Sequence, residues 1–320
     1  MNERSRATSL SIAAVERDTG LSKDTLRVWE RRYGFPAPAR DAAGERAYAP
    51  AEVDKLRLLK RLLDAGHRPG RIVTLPLEEL AALPVAAPDA PSPREPGPPG
   101  ADLRPQLDLI RAHDARSLRS ELSRLLSRLG VGRFVVDVLA PLNTAVGDAW
   151  LRGQVEIFQE HVYTEVVQGL LRQAIAAIPP PHGDGRPNVL LSTFPGEPHG
   201  LGLLMAEAMF TLEACDCVSL GVQTPLWDIV LAAAAHGADI VALGFSGCMN
   251  PNPVVDGLTE LRAKLPTAVQ LWAGGATPVL HRRRVGGVLA LASLDAIAPE
   301  LRRWREAAAA SAQSLAQGPV

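Results

Sequence analysis

The capacity for chemistry in this 320-residue chain is concentrated in a few short stretches. The first is Glu197-Pro198-His199-Gly200-Leu201-Gly202, directly after an apolar run. An imidazole at a strand end can ligate a metal, and a carboxylate two residues earlier can orient the ring, as carboxylates do for ligating histidines. Gly200 and Gly202 keep the backbone thin where a large flat ligand approaches. Ser246-Gly247-Cys248 and Gly274-Gly275 close two further apolar runs. Trp150 is followed, after nine intervening residues, by Glu160-His161. Taken singly, each has a plainer explanation: His199 as a loop histidine, Trp150 as helix core, Glu160-His161 as a solvated helix face. His67, His113, His182, His236 and His281 read as loop, helix-end or basic-turn residues and are assigned no role.

A different chemistry is written near the N-terminus. Lys23, Arg27 and Arg31, spaced four apart, project from one helical face, a stripe that reaches phosphates and base edges. The same spacing also suits a solvated face. Arg40, Arg46 and Tyr48 lie around Gly44 in a stretch that suits a β-hairpin wing. Residues 1–75 hold fifteen Lys and Arg against ten Asp and Glu, so a +5 head precedes a −6 body in a chain of net charge −1. That asymmetry fits a head that meets a polyanion.

The elements that must position these groups are legible in outline. Ser11 caps a short helix ending near Arg17, Gly20 makes a turn, and Ser22 caps a helix over 23–32 with Leu26 and Trp29 inward. Pro50 opens a third helix with Val53, Leu56, Leu59 and Leu63 inward. The head is thus predicted over 1–80. Residues 81–100 hold seven prolines and form a linker that spans up to ~60 Å. Residues 101–180 are helix-patterned, with Leu118, Leu122, Leu125, Leu126 and Leu129 on one face, and form a four-helix bundle. A boundary falls at Pro179-Pro180-Pro181-His182-Gly183. Over 181–306, strands at 188–194, 217–222, 239–245 and 268–274 alternate with helices near 200–213, 225–236 and 253–264. This is the pattern of a doubly wound α/β (Rossmann-like) sheet, whose ligands sit at the C-terminal strand ends. The Ala/Ser/Gln-rich stretch 307–320 reads as a flexible tail. The fold class is therefore multidomain. Cys215, Cys217 and Cys248 give neither a disulfide framework nor zinc-finger spacing. The start lacks an apolar signal core, and no run reaches the ~18 residues of a membrane helix, so a cytoplasmic protein without membrane contact is expected.

Longer patterns carry a resemblance. Ile12-x-x-Val15, the run 20–34 (G-L-S-x-x-T-L-R-x-W-E-x-R-Y-G) and Arg46-x-Tyr48 closely resemble the MerR-family DNA-binding domain across residues 9–67. The resemblance implies that the 23–31 helix enters a major groove of operator DNA while Arg40, Arg46 and Tyr48 of the wing contact the backbone. Most MerR proteins continue into a long coiled-coil dimerisation helix; here Pro69, Gly70 and Pro76 lead straight into the linker, so the body must supply assembly.

The loop 197–202 resembles the D/E-x-H-x-x-G motif of cobalamin-binding Rossmann-like domains, with Leu220-Gly221 and Pro225 matching their second strand end. Ser246-Gly247-Cys248 stands where that family has S-x-L, and Gly274-Gly275 where it has G-G. The resemblance implies base-off cobalamin with His199 as the lower axial ligand of cobalt. Ser246 would hydrogen-bond the displaced dimethylbenzimidazole, and the glycines would make room for it. Trp150, Glu160 and His161 repeat the W-x9-E-H signature of CarH/LitR-type light-sensing MerR regulators. Trp150 would be a lid over the upper corrin face, Glu160 a partner for an adenosyl group, and His161 a support for upper ligand or bundle. What this implies is a regulator rather than an enzyme: a cobalamin-dependent, light-responsive transcriptional repressor. Adenosylcobalamin is favoured, with methylcobalamin the alternative, and the assembly is a homo-oligomer, a tetramer by resemblance. One departure stands beside the tryptophan. Where the CarH type has a histidine that binds cobalt after photolysis, this chain has Leu151, which cannot ligate a metal. Two other readings remain open: a regulator that senses cobalamin form or redox state without light, and a corrinoid methyl carrier, which the fused head opposes.

Overall fold

The computed structural model describes residues 9–41, 44–64, 67–83, 102–180, 186–247, 249 and 251–316. Two compact units emerge: the N-terminal head with Asp148–Gln154, and the remainder of the chain.

In the head, β1 (Leu10–Ser11) leads into α1 (Ile12–Thr19), and Ser11 accepts a hydrogen bond from the Ala14 amide as N-cap. Gly20, with φ of 70°, ends that helix in the left-handed conformation that glycine adopts without steric cost. Ser22 caps α2 (Lys23–Tyr33) through the Thr25 amide, and Leu26 and Trp29 turn inward. β2 (Ala39–Arg40) and β3 (Arg46–Tyr48) form the wing, and β1 joins them in an antiparallel sheet of order β1-β3-β2. α3 (Pro50–Asp64) buries Val53, Leu56, Leu59 and Leu62, while Leu63 is only partly covered. Two further helices, α4 (Pro69–Ile72) and α5 (Leu77–Ala82), bring Ile72, Val73 and Leu80 into the same core. The head therefore runs past residue 80, because the apolar residues among the prolines find a core to enter. Most of the expected linker over 81–100, from residue 84 on, lies outside the described residues.

The second unit joins a helical layer to an α/β layer. α6 (Arg104–Arg111) and α7 (Ala115–Leu129) precede one continuous helical run: α8 (Val131–Arg133), a π-helical turn (Phe134–Leu139) and α9 (Ala140–Leu151), which belongs to the second unit as far as Gly147. α10 (Ile157–Ala176) completes four helical segments, with Leu118, Leu122 and Leu125 buried and Leu126 and Leu129 half-buried. Then β4 (Asn188–Ser192), α11 (Leu201–Leu212), β5 (Asp216–Ser219), α12 (Leu226–Ala235), β6 (Ile240–Phe245), α13 (Pro251–Lys264), β7 (Gln270–Gly275), α14 (Val279–Arg282), β8 (Val288–Leu291) and α15 (Ile297–Ala316) alternate. The five strands are parallel in the order β5-β4-β6-β7-β8.

Period-two burial divides this core. Leu190, Val241, Leu243, Leu271 and Ala273 face α12 and α13, whereas Val189, Leu191, Ile240, Ala242 and Trp272 face α11 and α15. A sheet covered on both faces needs such continuously apolar strands. α10 packs against α11, and Gly132 beside α11 is so close that an added Cβ would stand 3.4 Å from Leu212 Cδ1. Two expectations need correction. β8 is a fifth strand, and the tail expected over 307–320 is helical through Ala316, because alanine is the best helix former. Residues 317–320 and the boundary residues 181–185 lie outside the described set.

Candidate functional site

The loops after β4 and β6 converge around one buried carboxylate. Glu197 is 0% exposed. Its Oε1 accepts from the His199 amide at 3.0 Å and faces His199 Nδ1 at 2.6 Å, while its Oε2 accepts from the Ser246 amide at 2.7 Å. Burial alone would push this carboxyl up, but hydrogen bonds from His199 and Ser246 outweigh it and hold the group below its ordinary value as a carboxylate. An imidazole whose Nδ1–H donates to a carboxylate carries its lone pair on Nε2. The His199 side chain is 57% exposed, so the ring reaches solvent from a buried anchor.

Residues with no part in the sequence expectation fix this loop. Thr193 Oγ1 donates to the Glu197 carbonyl at 2.7 Å and accepts from the Gln223 amide at 2.8 Å. Ser192 Oγ lies 2.8 Å from Thr224 Oγ1, tying the loop after β5 to β4. The signal was two consecutive hydroxyl residues at the end of an otherwise apolar strand.

The glycines have distinct jobs. Gly275, with φ of 123°, approaches β6 so closely that a Cβ would stand 2.0 Å from the Phe245 carbonyl oxygen. Gly200 is tight against Val222, where an added Cβ would stand 3.0 Å from Cγ1, whereas Gly202 opens on space with nothing within 4 Å. Two residues beyond Gly275, Thr277 is 1% exposed and its Oγ1 has no hydrogen-bond partner among the described residues. Cys248 lies outside the described residues.

No group of three His, Cys, Asp or Glu side chains among the described residues could cage a metal ion. One anchored imidazole suits a metal that arrives in its own macrocycle and needs a single axial donor. The thin backbone at Gly202 and Gly275 and the orphaned Thr277 hydroxyl fit a large ligand with a polar appendage.

In the helical layer, Trp150 is half-buried one residue before the end of α9, which Gly153 terminates with φ of 68°. Glu160 and His161 occupy the first turn of α10. That turn is fixed by a capping box between Glu156 and Gln159, and Gln159 Nε2 donates to the Arg111 carbonyl at 3.1 Å. Glu160 accepts from Thr164 Oγ1 at 2.7 Å, and its Oε2 lies 3.7 Å from His161 Nε2. Both residues thus ride on the helix that packs against α11, directly after the His199 loop.

On the head, Lys23, Arg27 and Arg31 share the outer face of α2, but carboxylates accompany two of them. Lys23 lies 3.4 Å from Glu16 and Arg27 3.1 Å from Asp24. Arg40 donates to the Gly44 carbonyl at 2.9 Å, which shapes the wing tip. Arg46 pairs with Glu30 at 2.7 Å, and that hydrogen bond raises its pKa. Tyr48 does not face outward as expected: it is 0% exposed within the head's core. In a short strand whose other face is solvated, the residue of that type and position is taken inward by the hydrophobic effect.

Residues 10–75 match the family described as MerR HTH family regulatory protein, and residues 105–175 the B12 binding domain. The chain is 31% identical over 264 residues to the HTH-type transcriptional repressor CarH of Myxococcus xanthus, covering 82% of this chain and 87% of the relative. It is 29% identical over 278 residues to the HTH-type transcriptional repressor CarA of the same organism, covering 84% and 88%. A solved structure, the Methanosarcina barkeri monomethylamine corrinoid protein, aligns with a TM-score of 0.48 and 17% identity over 62% of this chain and 96% of that one.

Proposed function

The chain belongs to the family of MerR-headed transcriptional repressors with a B12-binding domain that includes CarH, and from that premise we propose that it is a light-responsive repressor whose cobalamin-loaded oligomer holds operator DNA in the dark. The observation that carries this reading is the Glu197 clamp, which holds His199 Nδ1 and the Ser246 amide on one buried carboxylate. His199 would offer Nε2 to cobalt as the lower axial ligand. Ser246, Gly274, Gly275 and Gly202 would take the displaced nucleotide tail and the corrin edge. Trp150, Glu160 and His161 would cover the upper face. Bound adenosylcobalamin supplies a cobalt–carbon bond that light cleaves.

The chain's own part is to couple that pocket to assembly. α10, which carries Glu160 and His161, rests on α11, so a change at the upper face is felt by the helix behind the His199 loop. Lys23, Arg27 and Arg31 would enter the major groove while Arg40 and Arg46 brace the wing. Oligomers of tethered heads, tetramers in this reading, gain effective concentration worth roughly 10²–10⁴ in DNA affinity. Such a regulator works in the cytoplasm. The domains that serve it are a head over 1–80 extended by α5, a linker, a capping bundle over 101–180 and a cobalamin domain from 181.

The test is size exclusion and gel shift on protein loaded with adenosylcobalamin, in darkness and after green light. A dark DNA-binding oligomer that dissociates on illumination is expected. Leu151 favours a second reading, a sensor of cobalamin form or redox state, and equal DNA binding in light and dark would select it. Failure to take up any cobalamin would remove both.

A further inference from the structure

The body carries a cationic feature outside the residues assigned above to the cofactor site and the head. His281, Arg282, Arg283 and Arg284 follow one another at the end of α14, and all four are exposed. They stand out in a region whose net charge is −6. The segment is held in place rather than hanging free. Arg283 Nη1 donates to Asn252 Oδ1 at 3.3 Å in the first turn of α13. Four residues on, Gly287, with φ of 74°, lies so close to Arg262 that a Cβ would stand 2.8 Å from its Cδ. Arg262 is itself pinned to the carbonyls of Val269 and Leu265 at 2.6 and 2.9 Å. The basic turn is therefore pinned along the flank of α13, and its charges sit on an open surface.

Much of the head's positive charge lies beside carboxylates. Lys23, Arg27, Arg46 and Arg57 each lie within 3.4 Å of a carboxylate. A head so compensated gains less from releasing counterions on DNA than its count of basic residues implies. An exposed run of basic residues on a second unit of the same chain offers further cations to DNA. Small anions are held by partly buried donors in fixed geometry, whereas a polymer of phosphates is met by exposed cations in series. The eighteen residues 84–101 can reach at most about 60 Å, the rise of about 18 base pairs. The distance from one head to DNA flanking its site is therefore within covalent reach.

We propose that the basic turn 281–284 is a second nucleic-acid contact, a sequence-independent grip of the α/β body on duplex phosphates beside the site that the head reads. This rests on the DNA-binding function proposed above.

The experiment uses the full chain loaded with cobalamin in the dark and a 60-base-pair duplex of random sequence, with affinity followed by fluorescence anisotropy from 50 to 300 mM KCl. The double variant R282Q/R284Q keeps the Arg283–Asn252 bond, and R284Q alone is the milder companion. Each phosphate that is no longer neutralised flattens the slope of log K against log salt by about 0.9, so the double variant should lose about 2 per chain and R284Q about half of that. Affinity at 50 mM salt should fall by roughly 100-fold, with cobalamin absorbance and oligomer size unchanged. An unaltered slope in both variants overturns the inference. So does a loss of cobalamin retention at unaltered slope, which would assign the turn to the cofactor's phosphate. If the unmodified protein binds no duplex at all, it is the DNA-binding function that fails.

Discussion

A carboxylate taken fully out of water is costly unless its lone pairs are filled, and Glu197 fills them with three N–H donors from His199 and Ser246. An isosteric amide cannot do the same, because its own NH₂ must face one of those donors. Glu197→Gln should therefore weaken cobalamin retention by about 10–100-fold, the usual cost of losing a ligand-orienting partner, while His199→Ala costs more. Dialysis of the loaded protein followed by cobalamin absorbance reads both. Gly275→Ala belongs to another class, for its Cβ would meet the Phe245 carbonyl at 2.0 Å in a conformation that side chains rarely adopt. A loss of about 3 kcal/mol or more is expected, read as a lowered Tm without cofactor. At this scale the sequence was most legible where residue types are rare and spacing rigid, as in Glu197-x-His199 and Gly274-Gly275. It was silent on Thr193 and Thr277, whose importance lies in partners from distant loops or in having none among the described residues. It misassigned Tyr48, because a tyrosine beside two arginines serves a wing or a core equally well and only packing decides.

Elements were legible where periodicity is strong. The cap residues Ser11 and Ser22 and four of the five parallel strands stand where the pattern puts them. β8 escaped because Val288–Leu291 is short and follows a glycine pair, so it resembles a loop until β7 provides a neighbour. The last helix escaped because its docking stripe, Ile297, Leu301 and Trp304, is short and lies entirely before the alanine-rich stretch, which signals helix propensity alone. The contact between α10 and α11 leaves a measurable trace in Glu207. Burial pushes this carboxyl above its ordinary 4.5, with Arg172 pulling the other way. Below 4.5 the group is neutral whether the chain is folded or not, and its burial is not penalised. As pH rises from there through the raised folded value, the unfolded chain ionises first and stability is lost. Glu207→Gln should therefore gain stability relative to the unmodified protein between pH 4 and 7, as read by urea melts at each pH. A difference independent of pH would show that Glu207 is not held from water at this contact.

At the scale of the whole molecule, the cores are separate: the head's cluster around Leu26, Trp29 and Tyr48 shares no residue with the two clusters that flank the parallel sheet. Thermal unfolding should therefore show two transitions. Cobalamin at 100 times its Kd should stabilise the body by about 2.7 kcal/mol and move that transition alone. Calorimetry with and without cofactor checks this, and a single transition shifted as one would mean that the units melt together. The strand order carries a last consequence. Glu197 with His199, Ser246, and Gly274-Gly275 hang from β4, β6 and β7, the three inner strands, while β5 and β8 form the rims. Amide deuterium exchange at a rim needs only local fraying, whereas exchange from inner strands waits on opening of the sheet itself. The loops proposed to hold cobalamin are thus rooted in the part of the sheet expected to exchange slowest, and partly frayed molecules in which β5 or β8 has let go should still retain it.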